Sequence, residues 1–192
     1  MCDIEVMCLY CSASGRIVTY NDLCRGLDYM DMEDRVLDSF WSTFGGFSIT
    51  LEGYKTIFRS IEFYNMTKAL TFLINSLYWA LEKKSDWSED SIDISKMSII
   101  MGENEFWVKK KGLYDISISY KSLNSQAENI RGQYFFEDVV INKSSWINAL
   151  NVALNEYFTI LRKILEQNVK QHSVYRSYML DFYKLWENVR IF

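Results

Sequence analysis

The sequence predicts a single α+β domain, and three observations lead to that fold class. The chain has 192 residues, the length of one domain. Apolar residues recur at three- and four-residue spacing in three long segments, which is the pattern of amphipathic helices. Between those segments the period changes to two, the pattern of half-buried strands. Consecutive strands joined by tight turns pair antiparallel, so we expect an antiparallel β-meander with a central helix and two long C-terminal helices packed on one face.

Residues 1–45 are expected to form a mixed α/β segment of the single domain 1–192. A short strand is predicted at 16–20, a helix near 21–26, and a third element at 32–44. These predictions depend on short patterns, because no long periodic run is present in this part of the chain.

Residues 46–141 are expected to be mainly strands. Phe47, Ile49 and Leu51 alternate with Ser48 and Thr50, as in a strand with one buried face. Turn residues such as Gly53 and Gly112 separate the runs. The predicted strands are 47–51, 57–63, 97–101, 105–110, 113–120 and 133–141.

Three helices follow from the apolar stripes. The first covers 66–81, with Asn65 as its N-cap. The segment 142–192 is expected to form a helical hairpin, with helices at 145–167 and 173–189. Ser144 or Asn142 would cap the first of these two, and the short link between them predicts an antiparallel pair.

Composition limits the class of protein. Hydrophobic residues make up 49% of the chain and charged residues 24%, with a formal net charge of −4. This balance supports a buried core and excludes wholesale disorder. The longest apolar stretch, residues 69–81, is shorter than the about 20 residues of a membrane span, so we expect no membrane partner. The N-terminus lacks the positive start and apolar run of a secretory signal, and a cytoplasmic protein is expected.

Four cysteines near the N-terminus are candidates for a metal centre: Cys2, Cys8, Cys11 and Cys24. Cys8 and Cys11 have the two-residue gap with which two thiolates hold zinc, but the other pair is irregularly spaced. We therefore expect no metal and no cofactor, and interpret the cysteines as small buried side chains. His172 is the only histidine, which removes every scheme that needs two imidazoles.

The only basic run is Lys109, Lys110 and Lys111, which follows Phe106 and Trp107. Nucleic-acid binding requires a longer basic stripe interleaved with aromatic residues. Because the chain is acidic overall, we expect no nucleic-acid partner. The three lysines are interpreted as protection of an exposed sheet edge against aggregation.

Two acidic clusters have aromatic residues close by. Tyr29 lies in the first cluster, Trp41 just after it, and Trp87 in the second. Aromatic anchors ringed by charge are typical of protein-binding hot spots, whereas a solvated helix start is the structural alternative. We predict that these clusters bind a protein; the candidate residues are Asp86, Trp87, Glu89, Asp90 and Asp93, followed by Asp28, Asp31, Glu33, Asp34 and Asp38.

The segments Ser85-Asp-Trp-Ser-Glu-Asp90 and Asp28-Tyr-Met-Asp-Met-Glu-Asp34 carry this character most clearly. With them, the small, acidic, aromatic-rich chain resembles, in general character rather than by a motif, the immunity proteins of bacterial polymorphic-toxin and contact-dependent growth inhibition systems. The resemblance implies a cytoplasmic protein without enzymatic activity, a monomer or small oligomer that binds a cognate toxin domain and occludes a nuclease-type active site. An enzyme with an unrecognised cysteine or carboxylate site, and a structural or assembly subunit, are the alternatives.

Overall fold

A computed structural model describes residues 4–11, 17–18, 45–51, 66–83, 95–101, 104–122, 135–167 and 173–190. The α+β prediction is confirmed. Within these ranges the elements, in chain order, are β1 Ile4–Cys11, β2 Ile17–Val18, β3 Gly45–Leu51, α1 Met66–Ala80, β4 Lys96–Met101, β5 Asn104–Lys110, β6 Asp115–Ser122, β7 Phe135–Asn142, α2 Lys143–Gln167 and α3 Ser173–Glu187.

The predicted meander is a four-stranded antiparallel sheet with the strand order β4-β5-β6-β7. Its inner face is apolar, because alternate residues along each strand point the same way. Phe106 and Val108 of β5 are fully buried, as are Ile116 and Ile118 of β6. The sequence placed the start of β6 at Leu113, two residues before its observed start at Asp115.

A second sheet, with the strand order β2-β1-β3, was only partly predicted. Ile17 and Val18, within the strand predicted at 16–20, form β2, and β3 includes the strand predicted at 47–51. No strand was predicted at β1, whose residues do not alternate cleanly: Cys8 and Leu9 are both buried. A sheet covered on both faces has such continuous apolar strands. The elements predicted at 21–26, 32–44 and 57–63, and the cap Asn65, lie outside the described residues.

The three predicted helices are present. Helix α1 is central and is buried around most of its circumference, which fits its nearly continuous apolar sequence. Helix α2 begins one residue after Asn142, whose Oδ1 accepts a hydrogen bond from the Ser144 amide at 2.9 Å; this is the predicted N-cap. Helix α2 packs against β1 and α1 and reaches β7, while α3 packs against α1 and α2.

Four aromatic rings join the two sheets through the helices. Phe106 of β5 lies at ring-centroid distances of 6.3 Å from Phe47 of β3, 5.8 Å from Phe72 of α1 and 6.2 Å from Trp146 of α2. Phe47 and Phe72 also stack, at 5.7 Å. Such offset and edge-on pairs add about 0.5–1.5 kcal/mol each beyond the burial of their area, so this cluster ties both sheets into one core.

Candidate interaction surface

The ten partner-binding residues predicted from the sequence lie outside the described residues. They are Asp28, Asp31, Glu33, Asp34 and Asp38 of the first acidic cluster and Asp86, Trp87, Glu89, Asp90 and Asp93 of the second. Their contribution to binding therefore stays a prediction. The described residues contain a different set of surface features, centred on the hairpin that β5 and β6 form.

Cys8 is the one cysteine whose side chain the structure describes. Its thiol is buried beneath α2, with Sγ 3.7 Å from the carbonyl oxygen of Ala153. Burial raises the pKa of the thiol, and the nearby Glu156 carboxylate raises it further. A protonated thiol is neither a good nucleophile nor a good metal ligand, so this side chain behaves as part of the core.

The other candidate metal ligands are Cys2, Cys11 and Cys24. Cys2 and Cys24 lie outside the described residues, and Cys11 is the last residue of β1. Among the described residues, no group of three or more His, Cys, Asp or Glu side chains is placed to hold a metal ion.

The lysine run ends a central strand. The interpretation of Lys109, Lys110 and Lys111 as protection of a sheet edge is wrong, because β5 pairs with β4 on one side and β6 on the other. Lys110 Nζ lies 3.6 Å from Glu82 Oε1, and Lys111 Nζ lies 3.3 Å from Asp138 Oδ2. Lys110 and Lys111 thus form ion pairs that connect the β5 end of the hairpin with residues distant in sequence.

Glu82 follows the end of α1, and its carboxylate forms ion pairs with residues of β5 and α2. Its φ is 57°, and hydrogen bonds from the Glu82 and Lys83 amides back to α1 form a Schellman-type C-cap, whose αL position glycine normally occupies. The Glu82 carboxylate also lies 3.2 Å from Nζ of Lys143, the first residue of α2. The hydrogen bond from Lys143, with the charges of Lys143 and Lys110, lowers the pKa of Glu82.

Asp138 forms hydrogen bonds and an ion pair on the opposite side of the hairpin. It lies on β7 beside a register irregularity in the β6–β7 pairing, with a φ of 51°. Its amide donates to Ser119 Oγ at 2.8 Å, and Ser117 Oγ donates to Asp138 Oδ1 at 3.1 Å. The bond from Ser117, followed by that from Lys111, lowers the pKa of the Asp138 carboxyl. The irregular backbone is therefore held by its own side-chain contacts.

The tip of the hairpin exposes two large side chains. Leu113 is 68% exposed and Tyr114 is 70% exposed. The backbone around them is nevertheless held at both ends, because the Lys111 amide donates to the Asp115 carbonyl at 3.0 Å and the Lys143 amide donates to the Tyr114 carbonyl at 2.7 Å. Both residues were predicted in a strand, whereas they form the turn; the preceding lysines and Gly112 were the signal for that turn.

Trp107 lies on the outer face of the meander, opposite the core. The Lys96 and Lys109 ammonium nitrogens lie 5.2 Å and 5.9 Å from its ring centroid, within cation–π distance. The indole is 9% exposed, and its buried Nε1 has no hydrogen-bond acceptor among the described residues. A tryptophan beneath two cations was not predicted from the sequence.

Comparisons with protein-family models, curated proteins and solved structures found no match to this chain. Among the described residues, no helix has both the length and the apolarity needed to cross a membrane. Inferences about function therefore depend on the chain's own sequence and geometry.

Proposed function

We propose that this protein is a protein-binding module that neutralises a cognate bacterial toxin domain, as an immunity protein does. The observation that supports binding is the β5–β6 hairpin, which presents Leu113 and Tyr114 to solvent on a backbone held by hydrogen bonds and ion pairs. The class of partner comes from the chain's general resemblance to immunity proteins.

The hairpin tip has the physical properties of a binding element. Burying an exposed leucine or a similar large apolar side chain contributes about 1.5–3 kcal/mol. Tyrosine is enriched among interface hot spots because it offers both apolar area and a hydroxyl. Since the tip backbone is already fixed, binding loses little conformational entropy there.

The acidic clusters contribute a second kind of contact in this proposal. A nuclease that binds nucleic acid has a basic active site, and carboxylates facing it would speed association. The proposed contacts are Asp86, Trp87, Glu89, Asp90 and Asp93, with Asp28, Asp31, Glu33, Asp34 and Asp38 as a second set.

The function is tested by co-expressing the protein with the product of the gene immediately upstream of its own. We expect a complex that survives affinity purification, and growth that is restored when both proteins are made. The protein alone should elute from size-exclusion chromatography as a monomer or small oligomer. A toxic neighbour that forms no complex, or large assemblies of the protein alone, would contradict the proposal.

Two sets of substitutions then identify the contacts. Leu113→Ala with Tyr114→Ala should raise the Kd for the co-purified partner at least about tenfold, since two hot-spot side chains are removed. Val152→Ala is the matched control, because Val152 is an exposed apolar residue on α2, 46% exposed. Neutralising Asp86, Glu89, Asp90 and Asp93 while replacing Trp87 with Ala should weaken binding without unfolding. Unchanged affinity would reject the acidic-cluster contacts and leave those of the hairpin.

A further inference from the structure

The outer face of the meander places two lysines opposite each other. Lys96 of β4 and Lys109 of β5 are register partners, so their side chains leave the sheet on the same face, side by side. That face also carries Trp107, two residues before Lys109, and the 48% exposed Ile100 of β4. The inner residues between them, such as Val108, belong to the core.

Like charges directly opposite each other on neighbouring strands destabilise a sheet. The same sheet face avoids this elsewhere: Glu105 of β5 is opposite Lys121 of β6. Neither Lys96 nor Lys109 lies within ion-pair distance of a carboxylate in the described part of the chain. Lys109 lies near enough to the Asp138 carboxylate for its charge to help lower the pKa of Asp138, but no ion pair among the described residues offsets the repulsion between Lys96 and Lys109.

Trp107 lies close to both ammonium groups. Both nitrogens lie within 6 Å of its ring centroid, where the electron-rich face of the indole attracts a cation. The lysines in turn cover the ring, which is 9% exposed. Two cations that lie within 6 Å of one ring centroid, and that form no ion pair with a carboxylate among the described residues, offer a site for an anion.

We infer that Lys96, Lys109 and Trp107 form an oxyanion site that receives a carboxylate from an acidic segment of a protein partner. A single carboxylate between two ammonium groups removes their mutual repulsion and forms charge-assisted hydrogen bonds. The exposed Ile100 beside the site fits a protein partner, and the net charge of −4 disfavours a nucleic acid. This inference concerns a site separate from the hairpin tip and does not depend on the toxin-neutralising function.

The test uses peptides of defined charge and the full-length protein. A soluble peptide that alternates Glu and Gly, with blocked ends, is titrated while the indole N–H resonance of Trp107 is followed by proton–nitrogen correlation NMR. Trp107→Phe assigns that resonance. We expect the Glu peptide to shift it in a saturable way, and the same peptide with Gln in place of Glu to leave it unchanged.

Substitutions decide whether the two lysines are responsible. Lys96→Met and Lys109→Met keep the aliphatic stems over the indole and remove the charges; together they should weaken peptide binding about tenfold or more, as expected for loss of close charge pairs. Lys121→Met on the same sheet face is the matched control and should leave binding unchanged. Equal weakening by all three substitutions would indicate non-specific attraction and reject the site, as would the absence of any shift.

Two further measurements complete the test. Inorganic phosphate and a short single-stranded oligonucleotide are titrated in parallel, and tighter binding of either than of the Glu peptide would overturn the assignment to a carboxylate. Lys96→Glu should raise the unfolding midpoint in urea, because it places opposite charges across the strands, and should abolish binding of the Glu peptide. A lower midpoint would contradict the inferred repulsion.

Discussion

Two residues, Glu82 and Asp138, have a positive φ, which residues other than glycine, asparagine and aspartate seldom adopt. Their φ angles are 57° and 51°, in the left-handed region that costs an ordinary residue about 1–2 kcal/mol. Each carboxylate contacts a lysine at the β5 end of the hairpin, Lys110 or Lys111. Such a backbone conformation persists where the surrounding contacts hold it in place. Each of the two acids therefore combines a positive φ with an ion pair to the hairpin.

Substitution of Glu82 separates its two roles. Glu82→Gly should relieve the backbone strain, because glycine adopts a positive φ freely, and should raise the melting temperature by about 2 °C. Glu82→Gln keeps the strain and removes the ion pairs, so its melting temperature should fall below that of the natural protein, by less than about 2 °C, since exposed pairs contribute little. Thermal unfolding followed by circular dichroism measures both.

Salt provides the control for Glu82. At about 1 M salt the screening length falls to about 3 Å, so the difference between the natural protein and Glu82→Gln should shrink. The gain in Glu82→Gly should remain, because backbone strain is not screened. A Glu82→Gly protein that melts below the natural one at high salt would show that the positive φ is not a source of strain.

Asp138 predicts a pH dependence. Its hydrogen bonds lower its pKa in the folded state below the ordinary value of 3.8. A lowered carboxyl pKa contributes stability that is present above the unfolded-state value and is lost as pH falls through the folded-state value. The urea midpoints of the natural protein and Asp138→Asn should therefore differ near about pH 6 and converge as pH falls below about 4. Asp115→Asn on the same hairpin is the control; a constant difference at Asp138 would contradict the prediction.

At the scale of elements, the Asn142 side chain caps the N-terminus of α2. Asn142 Oδ1 accepts from the Ser144 amide at 2.9 Å, which satisfies one of the amides that the first turn leaves unpaired. Asn142→Ala should lower the free energy of unfolding by about 1 kcal/mol, within the 0.5–2 kcal/mol range of such caps. Asn142→Asp, which keeps an acceptor at the same place, should lose much less. Urea unfolding measures both, and equal losses would reject the capping role.

The elements that the sequence predicted are those with strong periodicity. The helix expected at 66–81 is observed at Met66–Ala80, and that expected at 145–167 at Lys143–Gln167. Strand β1 was missed because Cys8 and Leu9 are both buried, which removes the period of two. The ion pairs of the hairpin could not be predicted either, because Lys110 and Lys111 pair with carboxylates that are remote in sequence. The positions of those carboxylates depend on a backbone with a positive φ.

At the scale of the whole molecule, the surfaces differ in chemistry. The hairpin tip offers Leu113 and Tyr114, and the outer sheet face offers Lys96 and Lys109 over Trp107. The two acidic clusters hold nine of the chain's 25 acidic side chains. A partner that contacts the tip by apolar burial should bind with weak salt dependence, whereas contacts to the lysine pair or the acidic clusters weaken as salt rises. Salt dependence of each variant therefore separates the surfaces.

We expect the two sheets to unfold cooperatively, and substitution of Phe106 tests this expectation. Its ring contacts rings of β3, α1 and α2, and its side chain is fully buried. Phe106→Ala should lower the free energy of unfolding by about 3–5 kcal/mol, a large share of the 5–15 kcal/mol that holds an ordinary domain folded. Because α2 still packs against β1 of one sheet and β7 of the other, the two sheets should still unfold in one transition, shifted to lower urea.

Far-ultraviolet circular dichroism and tryptophan fluorescence measure this transition by independent probes, and their curves should coincide for the natural protein and for Phe106→Ala. Tyr114→Ala, an exposed aromatic residue of the same hairpin, should change stability by less than about 0.5 kcal/mol. Curves that separate in Phe106→Ala would mean that the sheet of β1–β3 is stable without the meander. The aromatic cluster would then be a contact between two independently folded units, and a partner bound at the hairpin tip would stabilise the meander alone.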